Sequence, residues 1–206
     1  SDGRAQIGGR EKSSGLHARR EMKLEILKYG NPILRAKGKR VAKIDEHIRA
    51  LASDMLETMH GANGVGLAAQ QVGHALQLTV VDISGVEDRP STLRLNGKKV
   101  DPKTAMPLVL LNPQFTLDAD VESATEGCLS FPEINAEIDR AVAIVGHAET
   151  LEGEPIEIEA SGLLARALQH EVDHLNGILF IDRMSSATKV SLASRLKRLQ
   201  KENRQD

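Results

Sequence analysis

His170, Glu171 and His174 form an H-E-x-x-H run. Two histidines four residues apart lie on one face of a helix, so both imidazoles can reach one metal ion. Glu171 sits one residue along, close enough to handle a proton on a water bound to that ion. The chemistry indicated is metal-dependent hydrolysis. Two imidazoles do not complete a catalytic site of the zinc type, which takes three protein ligands and leaves one position for water. No histidine follows His174, and Glu202 lies close to the end of the chain. Cys128, in the run Glu126-Gly127-Cys128-Leu129-Ser130, is the remaining good candidate, and its thiolate would give a His₂Cys site. The bland alternative is a pair of surface histidines on a charged helix and a thiol buried as a small apolar group.

These residues need a helix and a strand frame to hold them. Ser161 is a candidate N-cap, and the helix it opens runs to about Leu175, with Gly177 ending it. On that helix Leu164, Leu168, Val172 and Leu175 form one apolar stripe, expected to face the core. Leu163, Ala167, His170 and His174 form the neighbouring stripe, so the ligand face should border a lined cavity. The spacing Ile44, Ile48, Leu51, Met55, Met59 predicts an earlier helix stopping at Gly61. Gly64 to Gln71 is too glycine-rich for regular structure. Gln77 to Ile83 reads as a buried strand, and Ser84 to Pro107 as a long loop or irregular hairpin. Strands are expected over Leu108–Leu111, Gln114–Val121, Ala141–Ala148 and Ile156–Glu159, which leaves Cys128 between strands. A last helix fits Ser186–Glu202. The class is α+β: largely antiparallel sheets packed around a central helix carrying H-E-x-x-H, with an N-terminal and a C-terminal helix.

The 206 residues suit one domain, and 40% hydrophobic content allows a real core, mostly aliphatic because Trp is absent and Tyr occurs once. A net charge of −2 argues against direct nucleic-acid readout, and no apolar run approaches membrane-spanning length. A single cysteine permits no internal disulfide and fits a cytoplasmic, reducing compartment. Residues 1–21 read as a disordered leader or expression remnant, with Met22 an expected original start. An organellar transit segment fits less well, because Asp2, Glu11 and Glu21 interrupt the positive charge. Residues 22–184 form the hydrolase domain, and residues 185–206 a basic amphipathic helix and tail with an apolar stripe of Val190, Ala193, Leu196 and Leu199.

Glu126 to Ser130 resembles the E-G-C-L-S motif of peptide deformylases. Gly64 to Gln71 resembles their G-x-G-x-A-A-x-Q motif, and Gln169 to Gly177 their Q-H-E-x-D-H-L-x-G motif. The three occur in the family's order, over about Met22 to Met184. The resemblance implies removal of the formyl group from N-formylmethionyl nascent peptides, with release of formate. Cys128, His170 and His174 would hold one divalent metal, Fe²⁺ in the family, with Zn²⁺, Ni²⁺ or Co²⁺ as substitutes suited to the same donors. Hydroxide on that metal attacks the formyl carbon while Glu171 takes the proton and returns it to the leaving amine. Gln71 and the backbone N–H of Leu129 are the expected oxyanion donors, and the motif leaves Gln70 free.

Gly66 and Gly127 would let backbone approach an extended peptide, whereas Gly64 reads as an ordinary turn. Val65 and Leu163 are candidate walls of the methionine slot, with Ala124 and Ala167 leaving room. Arg166 is placed at the rim, and Glu126 as an acceptor for a ligand histidine with Arg140 beside it. The C-terminal helix carries Lys189, Arg195, Lys197, Arg198, Lys201 and Arg204, and the family implies ribosome docking through it. Two other readings compete: an H-E-x-x-H peptidase cutting internal bonds, and a metal-stabilised domain that binds peptide N-termini without turnover.

Overall fold

The computed structural model describes residues 22–204, so the expected leader over residues 1–21 lies outside them. An extended segment leads through a 3-10 turn, Pro32–Arg35, to helix α1, Glu46–Gly61. Strand β1 (Gly66–Ala68), a second 3-10 turn (Ala69–Val72) and strand β2 (Leu78–Val81) follow. Next come the hairpin β3 (Ser91–Leu95) and β4 (Lys98–Val100) and the short helix α2 (Pro102–Ala105). Five strands succeed it: β5 (Leu108–Leu117), β6 (Val121–Cys128), β7 (Phe131–Ala141), β8 (Ala143–Glu149) and β9 (Pro155–Ser161). Helices α3 (Gly162–Leu175), α4 (Phe180–Arg183) and α5 (Ser186–Glu202) close the chain. Seven strands pair antiparallel in the order β1-β2-β5-β8-β9-β3-β4, and β6 and β7 form a separate hairpin. This is the expected α+β architecture.

Helix α1 starts where Asp45 accepts the N–H of Ile48 at 3.0 Å, and it buries Ile48, Leu51, Met55 and Met59 against Leu67, Leu78, Val80 and Leu111. The glycine-rich run after it does hold regular structure, the short β1, because pairing with β2 satisfies its backbone. Leu108–Leu111 and Gln114 onward belong to one strand, β5. Its register against β8 shifts between Leu111 and Gln114, where Asn112 takes φ +51° and Pro113 has no N–H to give the ladder.

Helix α3 differs from an amphipathic surface helix: every residue from Leu163 to Leu175 is buried except Val172. The expected core stripe therefore breaks at Val172, and Asp173 is buried beside it, because β-structure and the C-terminal segment cover α3 on several sides. Ser161 occupies the N-cap position, but its hydroxyl pairs with Thr92 Oγ1 at 2.5 Å and does not cap. Ser91 Oγ on β3 accepts the N–H of Leu164 instead, at 2.9 Å, so a neighbouring strand caps the helix. At the other end Gly177, at φ +73°, donates to His174 O at 3.0 Å and Ile178 donates to Asp173 O at 2.9 Å, which is the double bond pattern of a left-handed glycine stop.

Helix α5 has the expected bounds, but the face it buries is turned. Leu192, Leu196 and Leu199 pack on the cluster around Phe131 and Phe180, whereas Val190 is 77% exposed and Ala193 is exposed. Leu196 and Leu199 of the expected stripe are thus in the contact, with Leu192 in place of Val190 and Ala193. Among the described residues no helix is long and apolar enough to cross a membrane.

Candidate metal centre and substrate cleft

Strand β6 and helix α3 bring Cys128, His170 and His174 together. Cys128 Sγ lies 3.3 Å from His174 Nε2, which lies 3.2 Å from His170 Nε2, and the three donor atoms all fall within 4.8 Å of one another. Cys128 is thus not in a connection between strands but at the end of β6, where the register against β7 shifts between Gly127 and Cys128 and a two-residue turn, Leu129-Ser130, follows. The β6–β7 hairpin was not legible as strands because inward positions carry Glu126 and Arg140 where apolar residues would signal a strand.

Alternation along β6 directs Glu126 as well as Cys128 toward α3. Glu126 Oε1 pairs with His170 Nδ1 at 2.8 Å, which leaves His170 Nε2 to face the thiol and His174. The same carboxylate takes two bonds from Arg140, at 2.9 and 3.0 Å, and one from Arg166 at 3.0 Å. Arg140 continues to Asp173 at 2.5 Å, and Arg183 closes the chain on Asp173. Burial alone would raise the Glu126 carboxyl; the bonds from His170 and Arg140 outweigh it and hold the group at about 2. The expected pairing of Glu126 with a ligand histidine and with Arg140 is therefore present as contact. Arg166 lines the cavity, as placed, but is not a solvated charge. It is buried, with its guanidinium committed to Glu126, Ile138 O and Glu122 O.

Glu171 is 4% exposed, and burial raises its carboxyl to about 7. It lies against Gly66: a Cβ there would sit 2.8 Å from Glu171 Cδ and 2.9 Å from Cγ. The second glycine of the 64–71 motif is thus explained by close approach of a side chain to the backbone. Gly64 has a similar reason, because a Cβ on it would meet Leu129 Cδ1 at 2.6 Å.

Gln71 is 1% exposed. Its Oε1 accepts the N–H of Ala68 at 2.9 Å, and its Nε2 donates to Ser130 Oγ at 3.1 Å and approaches Cys128 Sγ at 3.6 Å. Gln70 is also fully buried, with Nε2 3.3 Å from both Ala36 O and Leu175 O, so it is a structural residue and not a free loop position. A cavity of about 510 Å³ opens over this group. Its lining includes the expected Val65, Gly66, Gly127, Leu163 and Ala167 together with Gln71, Cys128, Leu129, His170 and Glu171. Ala124, farther along β6 from the turn, is not among the lining residues. Lys28, Arg89 and Ile134 also line the cavity, and no spacing signal marked them.

The donor set fits one divalent ion. Around a four-coordinate ion with bonds of about 2.0–2.1 Å to nitrogen and about 2.3 Å to sulfur, neighbouring donors stand roughly 3.3–3.7 Å apart. The 3.3 and 3.2 Å separations sit close to that spacing, and the third pair lies within 4.8 Å. Burial lowers His174 well below the usual imidazole range, which keeps a lone pair available.

The profile of the polypeptide deformylase family matches residues 23–190. The chain is 44% identical to the peptide deformylase of Opitutus terrae over 182 residues, spanning 87% of this chain and 94% of that one. The crystal structure of peptide deformylase from Thermotoga maritima superposes with a TM-score of 0.68 at 39% identity, over 80% of this chain and 99% of that one. A peptide deformylase from Synechococcus elongatus, solved in complex with actinonin, gives a TM-score of 0.72 at 36% identity, over 84% of this chain and 87% of that one.

Proposed function

This chain belongs to the polypeptide deformylase family and is a hydrolase, and from that premise we propose that it removes the formyl group from N-formylmethionyl nascent peptides through the Cys128–His170–His174 centre. The observation that carries the reading is the meeting of Cys128 Sγ with His174 Nε2 at 3.3 Å at the edge of a cavity that Glu171 also lines. A divalent ion held by this trio would supply a water of lowered pKa and a Lewis acid for the formyl oxygen. Fe²⁺ is the proposed occupant, with Zn²⁺, Ni²⁺ and Co²⁺ compatible with the same donors.

Glu171 takes the proton from the attacking water and returns it to the departing amine, a task suited to a carboxyl raised to about 7. Gln71 Nε2 and the Leu129 N–H receive the oxyanion. The Gln71 amide is held in place by Ala68 and Ser130, so little reorganisation is needed as charge develops. Glu126 fixes the tautomer of His170 through Nδ1. Val65, Leu163 and Ala167 form the slot for the methionine side chain, and Gly66 and Gly127 allow the peptide backbone close approach. The cytoplasm is the proposed compartment. The exposed basic face of α5 supports docking on the ribosome near the emerging chain, as a second and separable part of this reading.

The test is an anaerobic assay with formyl-Met-Ala-Ser, paired with metal analysis of the same preparation. Formate release with the Met-Ala bond intact and one metal per chain is expected. Cleavage of the Met-Ala bond would make the protein a peptidase, and binding without turnover would make it a recognition domain.

A further inference from the structure

Three consecutive residues of the N-terminal segment reach Gln71 and Leu129, to which oxyanion binding is assigned, and Ser130 beside them. The backbone N–H of Leu27 donates to Gln71 O at 2.8 Å. The ammonium of Lys28 donates to Leu129 O at 2.8 Å, across 101 positions of sequence. The backbone N–H of Tyr29 donates to Ser130 O at 2.9 Å, and Ser130 Oγ in turn accepts from Gln71 Nε2 at 3.1 Å. The segment is itself secured: Met22 N donates to Asp54 Oδ1 at 2.9 Å, Leu24 N to Thr58 Oγ1 at 2.8 Å, and the Tyr29 ring stacks on Phe131 with centroids 4.8 Å apart.

We propose that residues 27–29 are a clamp on the oxyanion site and that Lys28 is its positioning residue, acting through the Leu129 backbone. The inference rests on the reading of Gln71 and Leu129 given above. Leu129 lies in the turn between β6 and β7, where it has no cross-strand partner. Its carbonyl is therefore not held by the hairpin ladder and takes its orientation from Lys28. A charge-assisted bond of this kind is roughly twice as strong as a neutral one. Releasing it frees the 129–130 peptide plane, and with it the aim of the Leu129 N–H on the preceding plane. The two flanking bonds from Leu27 and Tyr29 explain why the arm reads three neighbouring carbonyls at once: they set the Gln71 and Ser130 sides of the same site. Lys28 also lines the cleft, so direct contact with the peptide is the rival role.

The two roles separate in steady-state kinetics. Lys28→Met and Lys28→Arg are compared with the unmodified full chain at equal metal content, using formyl-Met-Ala-Ser, together with hydrogen exchange of the segment 127–131 followed by mass spectrometry. Lys28→Met should lower kcat roughly ten-fold, a loss expected of a misaimed group, with KM within about two-fold and faster exchange in 127–131. Lys28→Arg should restore most of kcat and of the protection. Unchanged kcat and exchange in Lys28→Met would overturn the clamp, and a raised KM at unchanged kcat would replace it with peptide contact. Lys28→Gln serves in the same comparison if the methionine variant does not fold. No formate release by the unmodified enzyme would defeat the functional reading itself, whereas a difference between it and the Lys28 variants bears on the clamp alone.

Discussion

The Glu171 carboxylate rests on the Cα of Gly66, so close that a Cβ at that position would stand 2.8 Å from Glu171 Cδ. A strand on one side of the cleft thereby sets the position of the proposed proton carrier, which belongs to a helix on the other. Gly66→Ala should displace the carboxylate while leaving β1 paired with β2, because alanine is less unfavourable in a strand than the glycine it replaces. The expected outcome is a fall in kcat of about a hundred-fold, the scale of a misplaced reacting group, with metal content unchanged. Metal analysis and kinetics on the same sample check it, and a variant with normal kcat would show that the carboxylate position is not limiting.

Glu171→Ala tests the proton path directly. The variant should retain its metal, because none of the three proposed donor atoms belongs to Glu171. Turnover should fall by about 10²–10⁴, the range for loss of a general acid–base group. Cys128→Ala, in contrast, should lose the metal itself. Stoichiometric metal in that variant would exclude the thiolate as a required ligand.

Glu126→Gln bears on stability as well as chemistry. The change leaves Arg140 and Arg166, both buried, without their shared carboxylate. Breaking a buried ion pair by removing one partner destabilises by about 3–5 kcal/mol. Metal affinity should fall about 10–100-fold, the usual effect of losing the acceptor behind a ligand imidazole. Denaturant unfolding and a chelator competition measure the two effects, and native values in both would show that the Arg140–Asp173 contact suffices alone.

These predictions rest on parts of the molecule that differed in legibility. The two histidines and Glu171 could be found from residue type and helical spacing, because 3.6-residue periodicity survives burial, whereas Cys128 came from the lack of a later donor and from the motif around it. The bounds of α5 and the stop at Gly177 were legible for the same local reason: capping chemistry is written in adjacent residues. The hairpin that carries Cys128 was not, since Glu126 and Arg140 point inward and pay for each other only across 14 positions of sequence. Lys28 carried no signal at all. A lysine in an extended segment looks like surface until the fold brings Leu129 to it.

Asp182 predicts part of the acid sensitivity. Burial would raise its carboxyl, but Arg35, at 2.5 and 3.1 Å, and the N–H of Leu179, at 2.9 Å, outweigh that and lower it. A depressed folded pKa contributes stability above the unfolded value of about 3.9, and that contribution is lost as pH falls through the folded value. Asp182→Asn should therefore have a lower Tm than the unmodified protein near pH 7, and the gap should close below about pH 4. Thermal melts across that range decide it. A gap that stays constant with pH would assign the difference to packing of the side chain and not to its charge.

The proposed ribosome docking calls for a test that spares the fold. Truncation after Met184 would strip Leu192, Leu196 and Leu199 from the cluster around Phe131 and Phe180, and would remove Arg195, which donates to Glu133 O at 2.5 Å beside the cleft. A loss of binding after truncation would thus confound docking with damage. Lys197 and Lys201 are exposed and outside that contact, so the pair Lys197→Glu and Lys201→Glu reverses charge on the outer face alone. The double variant should keep its Tm and its turnover of formyl-Met-Ala-Ser but co-sediment with ribosomes less, and the difference should shrink as salt rises, because phosphate contacts are screened. Equal co-sedimentation at low salt would remove α5 from the docking surface and leave its basic face a solvated one.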